Sequence, residues 1–279
     1  MSQFSAFGTP YSPGSPQLVI GLQPGAGHGS QPVLAAQPGI VMCVSSGVVP
    51  GGMMPRPADV PNCPPGLEYL SSVNQLLIKQ NVELLEAFTG SETNNKYAIK
   101  NVLGQDVYMA FEDTACCTRM CWGLARPFDI KIVDNFQREV IHLSRALACK
   151  SCFPCCLESV EVTAPPGTKI GSIEQEWTLC SHSFKVKDHL GDTVLRIEGP
   201  FCTMSICGNV DFDIVSLAGN KVGKISKQWS GLARELFTDA DFFGITFPLD
   251  LDARIKAVLL GATFLIDFMF FENNNNANC

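Results

Sequence analysis

Four cysteines form the densest group of reactive side chains in this sequence, at Cys149, Cys152, Cys155 and Cys156, between two predicted strands. Their overlapping Cys-X-X-Cys spacings would suit a metal, but one ion needs four tetrahedral ligands, and the usual signature is two separated pairs. Clustered loop thiols also suit thioester acylation, and stable membrane anchoring requires two or more acyl chains. Unmodified thiols are the third interpretation. The clustering favours acylation.

Carboxylates spaced like those of a calcium loop lie further along the chain. Asp239 and Asp241 occupy ligand positions 1 and 3, Gly244 the turn position 6, and Asp250 position 12. Two other ligand positions hold phenylalanine, so we expect weak binding, with a Kd on the order of 10⁻⁴–10⁻³ M. The alternative is that Asp250 or Asp252 caps the helix that follows, while the other residues belong to turns.

Charge, motifs and cysteine usage exclude several classes of function. The net charge of −7 disfavours a general nucleic-acid-binding protein, which carries a basic field. The sequence contains no His-Glu-X-X-His or Gly-X-Ser-X-Gly motif, so we do not expect an enzyme. The first residues lack the basic and apolar regions of a signal peptide, and the thirteen cysteines then indicate a reducing compartment.

Residues 1–65 are predicted to form a disordered tail. They contain 12 of the 18 prolines and only two charged side chains, so they cannot bury enough apolar surface to offset the entropy of ordering. Pro10, Pro13 and Pro16 form overlapping Pro-X-X-Pro spacings, which suit an SH3-type groove in polyproline II geometry. The alternative is that the tail is a plain spacer.

One unit of two alternating runs around a turn recurs five times after this tail. A glycine follows the first residue by seven positions in four copies, whereas Asp134 and Asn135 mark the turn in the fifth. The five copies begin at Tyr97, Phe128, Val160, Phe184 and Phe212. Their intervals of 24 to 32 residues are too short for crossover helices, so they predict β-hairpins in a mostly antiparallel, barrel-like sheet.

Two helices are predicted near the carboxyl terminus. Apolar residues from Trp229 to Phe237 recur with helical spacing on one face. The segment from Ala257 to Phe271 is nearly all apolar, contains Asp267, and would span about 22 Å, less than the roughly 30 Å hydrocarbon core of a bilayer. A helix buried inside the barrel accounts for both the length and the aspartate, and a membrane span is the alternative.

Six runs in order resemble the phospholipid scramblase family between Cys63 and Glu272. These runs are residues 62–70, 92–101, 164–171, 223–232, 239–252 and 256–272. The resemblance implies a mainly β fold, a Tubby-like antiparallel barrel of about twelve strands around a hydrophobic C-terminal helix. It places the domain at residues 66–272, with that helix at 255–271 and a polar tail at 273–279. It also implies Ca²⁺-activated, ATP-independent movement of phospholipids in both directions between leaflets.

The resemblance also implies site residues. It places palmitoylation at Cys152, Cys155 and Cys156, and calcium binding at Asp239, Asp241 and Asp250. It places a nuclear import segment at Gly223, Lys224, Ile225, Ser226, Lys227, Gln228, Trp229, Ser230, Gly231 and Leu232.

Two functions follow as expectations. The first is a lipid transporter without a pump, whose partners are membrane phospholipids and, through the tail, SH3-domain proteins. It would lie at the cytoplasmic face of the plasma membrane, held by palmitoylation and, in the span interpretation, by the C-terminal helix. The alternative is a palmitoylated, membrane-recruited interaction or signalling protein with a nuclear role, which would leave room for a nucleic-acid partner. Oligomerisation is left open.

Overall fold

The computed structural model describes residues 52–81, 95–113, 127–146, 157–178, 181–200, 211–227 and 242–271. All of them lie within the compact unit Gly47–Cys279. The proline motif at Pro10, Pro13 and Pro16 and the predicted amphipathic helix from Trp229 to Phe237 lie outside the described residues.

The described residues form a short helix and twelve strands, followed by a long helix. Helix α1 is Glu68–Ser71 and helix α2 is Ala253–Ile266, which continues as a π-helical turn over Asp267–Phe271. The strands are β1 (Gln75–Asn81), β2 (Lys96–Lys100), β3 (Asp106–Glu112), β4 (Phe128–Val133), β5 (Glu139–Arg145), β6 (Ser159–Thr163), β7 (Lys169–Glu176), β8 (Ser183–Asp188), β9 (Thr193–Glu198), β10 (Asp211–Ser216), β11 (Lys221–Ser226) and β12 (Phe242–Thr246).

The strands close into an antiparallel barrel in which neighbours in sequence are neighbours in space. Closure depends on β1, which pairs with β2 on one side, as in Ile78 opposite Ile99, and with β12 on the other, where Ile78 faces Phe243. A closed barrel leaves none of these strands with an unpaired edge. The predicted mainly β, antiparallel barrel of about twelve strands around a C-terminal helix is therefore confirmed.

All five predicted hairpins are present, and their turns share one conformation. Four of the turns contain a glycine with a φ angle between 75° and 90°, a region that residues with a side chain rarely adopt. These glycines are Gly104, Gly167, Gly191 and Gly219. Gln137 takes the same place with a φ of 59° in the copy that lacks a glycine. A register shift follows each turn, as expected for three-residue loops that end in a bulge.

Helix α2 fills the interior of the barrel. Its residues from Lys256 to Ile266 are buried all round, which is typical of a helix enclosed by protein. Phe264 meets Tyr97 of the wall with ring centroids 5.2 Å apart, and Phe268 stacks on Phe128 at 4.7 Å. The core-helix interpretation is thus confirmed, and the alternative of a membrane span is corrected, because residues 256–266 of this segment are buried inside the barrel. Within the described ranges, no helix has both the length and the apolar character needed to cross a bilayer.

Gly66, just before α1, packs closely against the wall of the barrel. Gly66 has a φ of 92°, and its carbonyl accepts a hydrogen bond of 2.7 Å from the buried Tyr108 hydroxyl. Its N–H donates to the carboxylate of Glu68 at 2.7 Å, which in turn pairs with Arg56 at 3.0 Å. An added Cβ would lie 2.2 Å from Cγ1 of Val140. Only glycine fits both the backbone angle and the space.

We therefore expect Gly66→Ala to lower the free energy of unfolding by about 3 kcal/mol, the sum of backbone strain and overpacking. Gly191→Ala is the matched control, because Gly191 has nearly the same φ of 90° but no atom within 4 Å of an added Cβ. That control should cost only about 1 kcal/mol. Urea denaturation measures both, and equal losses would show that the contact with Val140 contributes nothing.

Candidate functional site at the entrance of the central helix

The two ends of the barrel differ in character. The five hairpin turns and the link 247–252 from β12 to α2 lie at one end, which we call the turn rim. The longer connections leave from the other end, which we call the loop rim, and they include those after Arg145 and after Ser226. The rims separate residues that the sequence alone had grouped together.

The described part of the predicted calcium segment does not fit a twelve-residue calcium loop. Gly244, expected at a sharp turn, lies within β12 and pairs with Leu77 and Ser226. The phenylalanine and isoleucine around it favour an extended, pleated backbone, and the strand closes the barrel. The predicted turn at Gly244 is therefore wrong.

Strand β12 also separates the predicted calcium ligands. It covers about 13 Å between Phe242 and Thr246, whereas two oxygens on one calcium ion lie within about 5 Å of each other. Asp250 follows the strand at the turn rim and is exposed. Asp239 and Asp241 precede it in the chain and lie outside the described residues, so their role stays a prediction.

The capping alternative holds for one of its two candidates. The side chain of Asp252 accepts a hydrogen bond from the N–H of Arg254 at 2.7 Å, and its carbonyl accepts one from Lys256 at 3.0 Å. This is the usual chemistry of an N-cap, in which a side-chain oxygen satisfies a free donor of the first turn. Asp252, rather than Asp250, therefore begins α2.

Lys256 is the residue of this entrance that the sequence did not reveal. Its side chain is fully buried, and its ammonium donates to the carbonyls of Leu70 at 2.9 Å, Val73 at 2.9 Å and Leu249 at 2.7 Å. The three bonds use all three N–H groups of an ammonium. They hold the first turn of α2 to the α1–β1 segment and to the link after β12. The one signal in the sequence was a single lysine at the start of an apolar run.

Burial lowers the pKa of Lys256 to about 8, and the negative charge of Asp250 acts in the opposite direction. The side chain is thus cationic at neutral pH and loses its proton at mildly alkaline pH.

A cleft of about 310 Å³ lies beside this entrance, between residues 60–64 and 249–254. Arg254 spans it and donates to the carbonyl of Asn62 at 2.9 Å. Cys63 contributes a half-buried thiol whose pKa is raised by burial and by the nearby Glu68, so at neutral pH it is the less reactive thiol form. The described residues hold no group of three or more histidine, cysteine or acidic side chains arranged for a metal.

A buried ion pair marks the loop rim where the cysteine-rich connection begins and ends. Arg145 closes β5, and its guanidinium contacts Glu158, just before β6, at 2.7 and 2.9 Å. The same guanidinium lies 5.5 Å from the centre of the Phe128 ring. The pair fixes both stems of the connection, while the predicted acylation sites Cys152, Cys155 and Cys156 lie outside the described residues.

The predicted nuclear import segment is partly a strand of the wall. Its residues from Gly223 to Ser226 belong to β11, and Ile225 and Ser226 are buried. Gly223 lies against the carbonyl of Thr246, where an added Cβ would come within 2.1 Å. Residues 228–232 lie outside the described residues. Recognition of the whole segment as a free extended peptide would require β11 to leave the barrel.

Comparisons with known proteins identify the family. The family model described as Scramblase matches residues 54–273. Phospholipid scramblase 1 of Mus musculus is 57% identical over 231 residues, 81% of this chain and 70% of the relative. Phospholipid scramblase 2 of Bos taurus is 58% identical over 221 residues, 78% and 75% of the two chains, and phospholipid scramblase 4 of Homo sapiens is 40% identical over 230 residues, 81% and 70%. No solved structure gives a significant match. The chain belongs to the phospholipid scramblase family, as its six sequence runs predicted.

Proposed function

We propose that this protein moves phospholipids in both directions between membrane leaflets, as a lipid transporter rather than an enzyme. The observation that carries the proposal is the identity of 57% to phospholipid scramblase 1 of Mus musculus over 231 residues, and the family model matches residues 54–273, which include the whole barrel and α2. Movement in both directions only dissipates a lipid gradient, so it needs no ATP. Activation by Ca²⁺ is the finer part of the proposal.

The interior of the barrel is filled by α2, and this restricts the path that a lipid could take. Side chains of α2 and the wall form one continuous apolar core, with Leu260 and Phe264 fully buried inside it. A zwitterionic headgroup would have to desolvate to enter such a core, at a cost of several kcal/mol. Lipid would therefore pass at the outer surface of the protein, where the barrel disturbs the packing of the bilayer.

The same packing favours a second candidate function. A sealed barrel is also a suitable body for a membrane-recruited interaction or signalling protein, with Pro10, Pro13 and Pro16 as an SH3 ligand and with a nuclear role. Purified protein in vesicles of pure lipid separates the two candidates, because an interaction protein alone would leave the leaflets unmixed.

The calcium proposal is tested by variants on the two sides of β12. Asp239→Ala with Asp241→Ala is expected to abolish Ca²⁺-dependent lipid exchange in reconstituted vesicles, because two hard oxygen ligands are lost. Asp250→Ala is the matched control and should keep the calcium response, since β12 separates it from that pair. A normal response of the double variant, at unchanged thermal stability, would contradict the proposal. Loss of the response in Asp250→Ala alone would move the site to the turn rim.

We also propose that Cys152, Cys155 and Cys156 carry palmitoyl thioesters. The fixed stems at Arg145 and Glu158 support this, because they hold the connection at one rim. Hydroxylamine, which cleaves thioesters, should release most of the protein from membranes, and the triple Cys→Ser variant should be released to the same extent. A triple variant that stays fully membrane-bound would show that the anchor lies elsewhere.

A further inference from the structure

The turn rim carries apolar side chains on rigid supports. In three of the hairpin turns an Asn or Asp side chain accepts a hydrogen bond from the N–H two residues later, which fixes the tip of the turn. The three bonds join Asn101 to Leu103 at 3.0 Å, Asp134 to Phe136 at 2.9 Å and Asp188 to Leu190 at 2.9 Å. The residue whose N–H is held in this way is in each case large, apolar and exposed.

Five of the six connections at this rim expose a large apolar side chain. The exposed fractions are 45% for Leu103, 62% for Phe136, 74% for Leu190, 64% for Leu217 and 57% for Leu249. The remaining connection, between β6 and β7, carries Pro165 and Pro166. Because successive turns are two strands apart, the tips are spaced about 10 Å from one another around the rim. Single exposed leucines are ordinary, but a ring of them on one end of a barrel is not.

Several charges near these tips are paired with each other. Arg138 contacts Asp134 at 2.6 Å, and Lys100 contacts Asp106 at 2.6 Å. At the β10–β11 hairpin, Lys221 contacts Asp213. The exposed carboxylates of Asp192 and Asp250 lie at the same rim outside these pairs, so charge gives the rim no attraction for anionic lipid, and its attraction for a bilayer comes from the apolar tips.

We propose that the turn rim docks onto a phospholipid bilayer by inserting these five tips into the headgroup region. A flat bilayer can receive all the tips of a ring at once, each between headgroups, whereas a protein partner needs a continuous and well-packed patch. The polar turn residues and ion pairs between the tips then stay in contact with water and headgroups. The inference rests on the proposed function only in taking a bilayer as the partner.

The contact is separate from the predicted acylation. Cys152, Cys155 and Cys156 belong to the connection that leaves the loop rim, at the other end of the barrel. Protein prepared without acylation must therefore bind through the turn rim, and this is the form to test.

The experiment measures the partition of the unacylated full chain onto phosphatidylcholine vesicles by flotation. The triple variant Leu103→Ser, Leu190→Ser, Leu217→Ser should bind about a hundredfold more weakly, at roughly fivefold for each leucine. The matched control replaces two exposed residues at the loop rim, Leu157→Ser and Trp177→Ser, and its partition should change less than about twofold. Raising the salt concentration should leave the binding of the wild type nearly unchanged, because the side chains that insert carry no charge.

Several outcomes overturn the inference. The first two are a triple variant that binds vesicles as tightly as the wild type, and a loop-rim control whose vesicle binding weakens as much as that of the triple variant. The other two are a wild type that binds only vesicles containing anionic lipid, and a wild type that binds a protein but no vesicle. The wild type, the triple variant and the loop-rim control should unfold at the same temperature, because every replaced side chain is exposed. If the triple variant unfolds at a lower temperature, the single variant Leu190→Ser is tested in its place. Lipid exchange after reconstitution is scored separately: tip-dependent partition without exchange in any variant contradicts the proposed function and leaves the docking inference intact.

Discussion

Lys256→Met is expected to lower the free energy of unfolding by about 3 kcal/mol, because three buried carbonyls lose their shared donor and cannot reach water. Methionine preserves most of the volume, so packing changes little. Urea denaturation of the full chain measures the loss. Lys221→Met is the matched control: this lysine is an exposed partner of Asp213, so its replacement should cost less than about 1 kcal/mol. Equal midpoints for the Lys256→Met variant and the wild type would show that the buried amine does not seat the helix.

The same lysine predicts a pH dependence with a definite sign. The folded-state pKa of about 8 lies below the value of about 10.4 for an unfolded lysine, so between these values the unfolded chain binds a proton that the folded chain does not. The stability of the wild type relative to Lys256→Met should therefore rise between pH 8 and pH 10. A relative stability that stays constant over this range would mean that the amine stays charged in the folded protein, and one that falls would mean that folding raises its pKa.

A charge placed in the middle of α2 should unfold the barrel. Leu260 is fully buried, and an unpaired lysine there costs at least about 5 kcal/mol, comparable with the whole stability of a domain. We expect Leu260→Lys to abolish the cooperative thermal transition, whereas Leu190→Lys, at an exposed turn tip, should leave it unchanged. A chain that lacks residues 255–279 and still unfolds cooperatively would show that the helix is not part of the core.

The hairpins were predictable because their chemistry is local. Each turn needs a residue of positive φ at a fixed distance from the start of the first strand, and a glycine at that position predicts the turn. Four turns have such a glycine: Gly104, Gly167, Gly191 and Gly219. The fifth turn was found from Asp134, whose carboxylate accepts from two backbone N–H groups, although Gln137 replaces the glycine. Alternation then assigns each strand a face toward the core.

The features that the sequence did not reveal depend on distant parts of the chain. Lys256 binds carbonyls of residues 186 and 183 positions earlier, and backbone carbonyls carry no sequence signature. The spacing of Asp239, Gly244 and Asp250 suggested a loop, but Gly244 is extended because β12 closes the barrel between β1 and β11. Ligand spacing predicts a site only where the chain between the ligands is free to turn.

The entrance of α2 is connected through β12 to the predicted calcium ligands. Strand β12 begins directly after Asp241 and leads to the link 247–252, whose Leu249 carbonyl accepts a hydrogen bond from Lys256. A change at the start of β12 can therefore reach the seat of the helix through one strand and one buried cation. Lys256→Met, tested for its calcium response, would show whether the two are coupled.

Mixing of the bilayer leaflets by the chain itself, as proposed, can be measured with purified protein and lipid alone. Purified protein is reconstituted in phosphatidylcholine vesicles with a fluorescent phospholipid in both leaflets, and dithionite added outside destroys the accessible label. With Ca²⁺ present and no ATP, nearly all of the label should be lost in vesicles that contain the protein, whereas protein-free vesicles should retain about the inner half. Retention of the inner half at every Ca²⁺ concentration would show that the chain alone does not move phospholipid between leaflets.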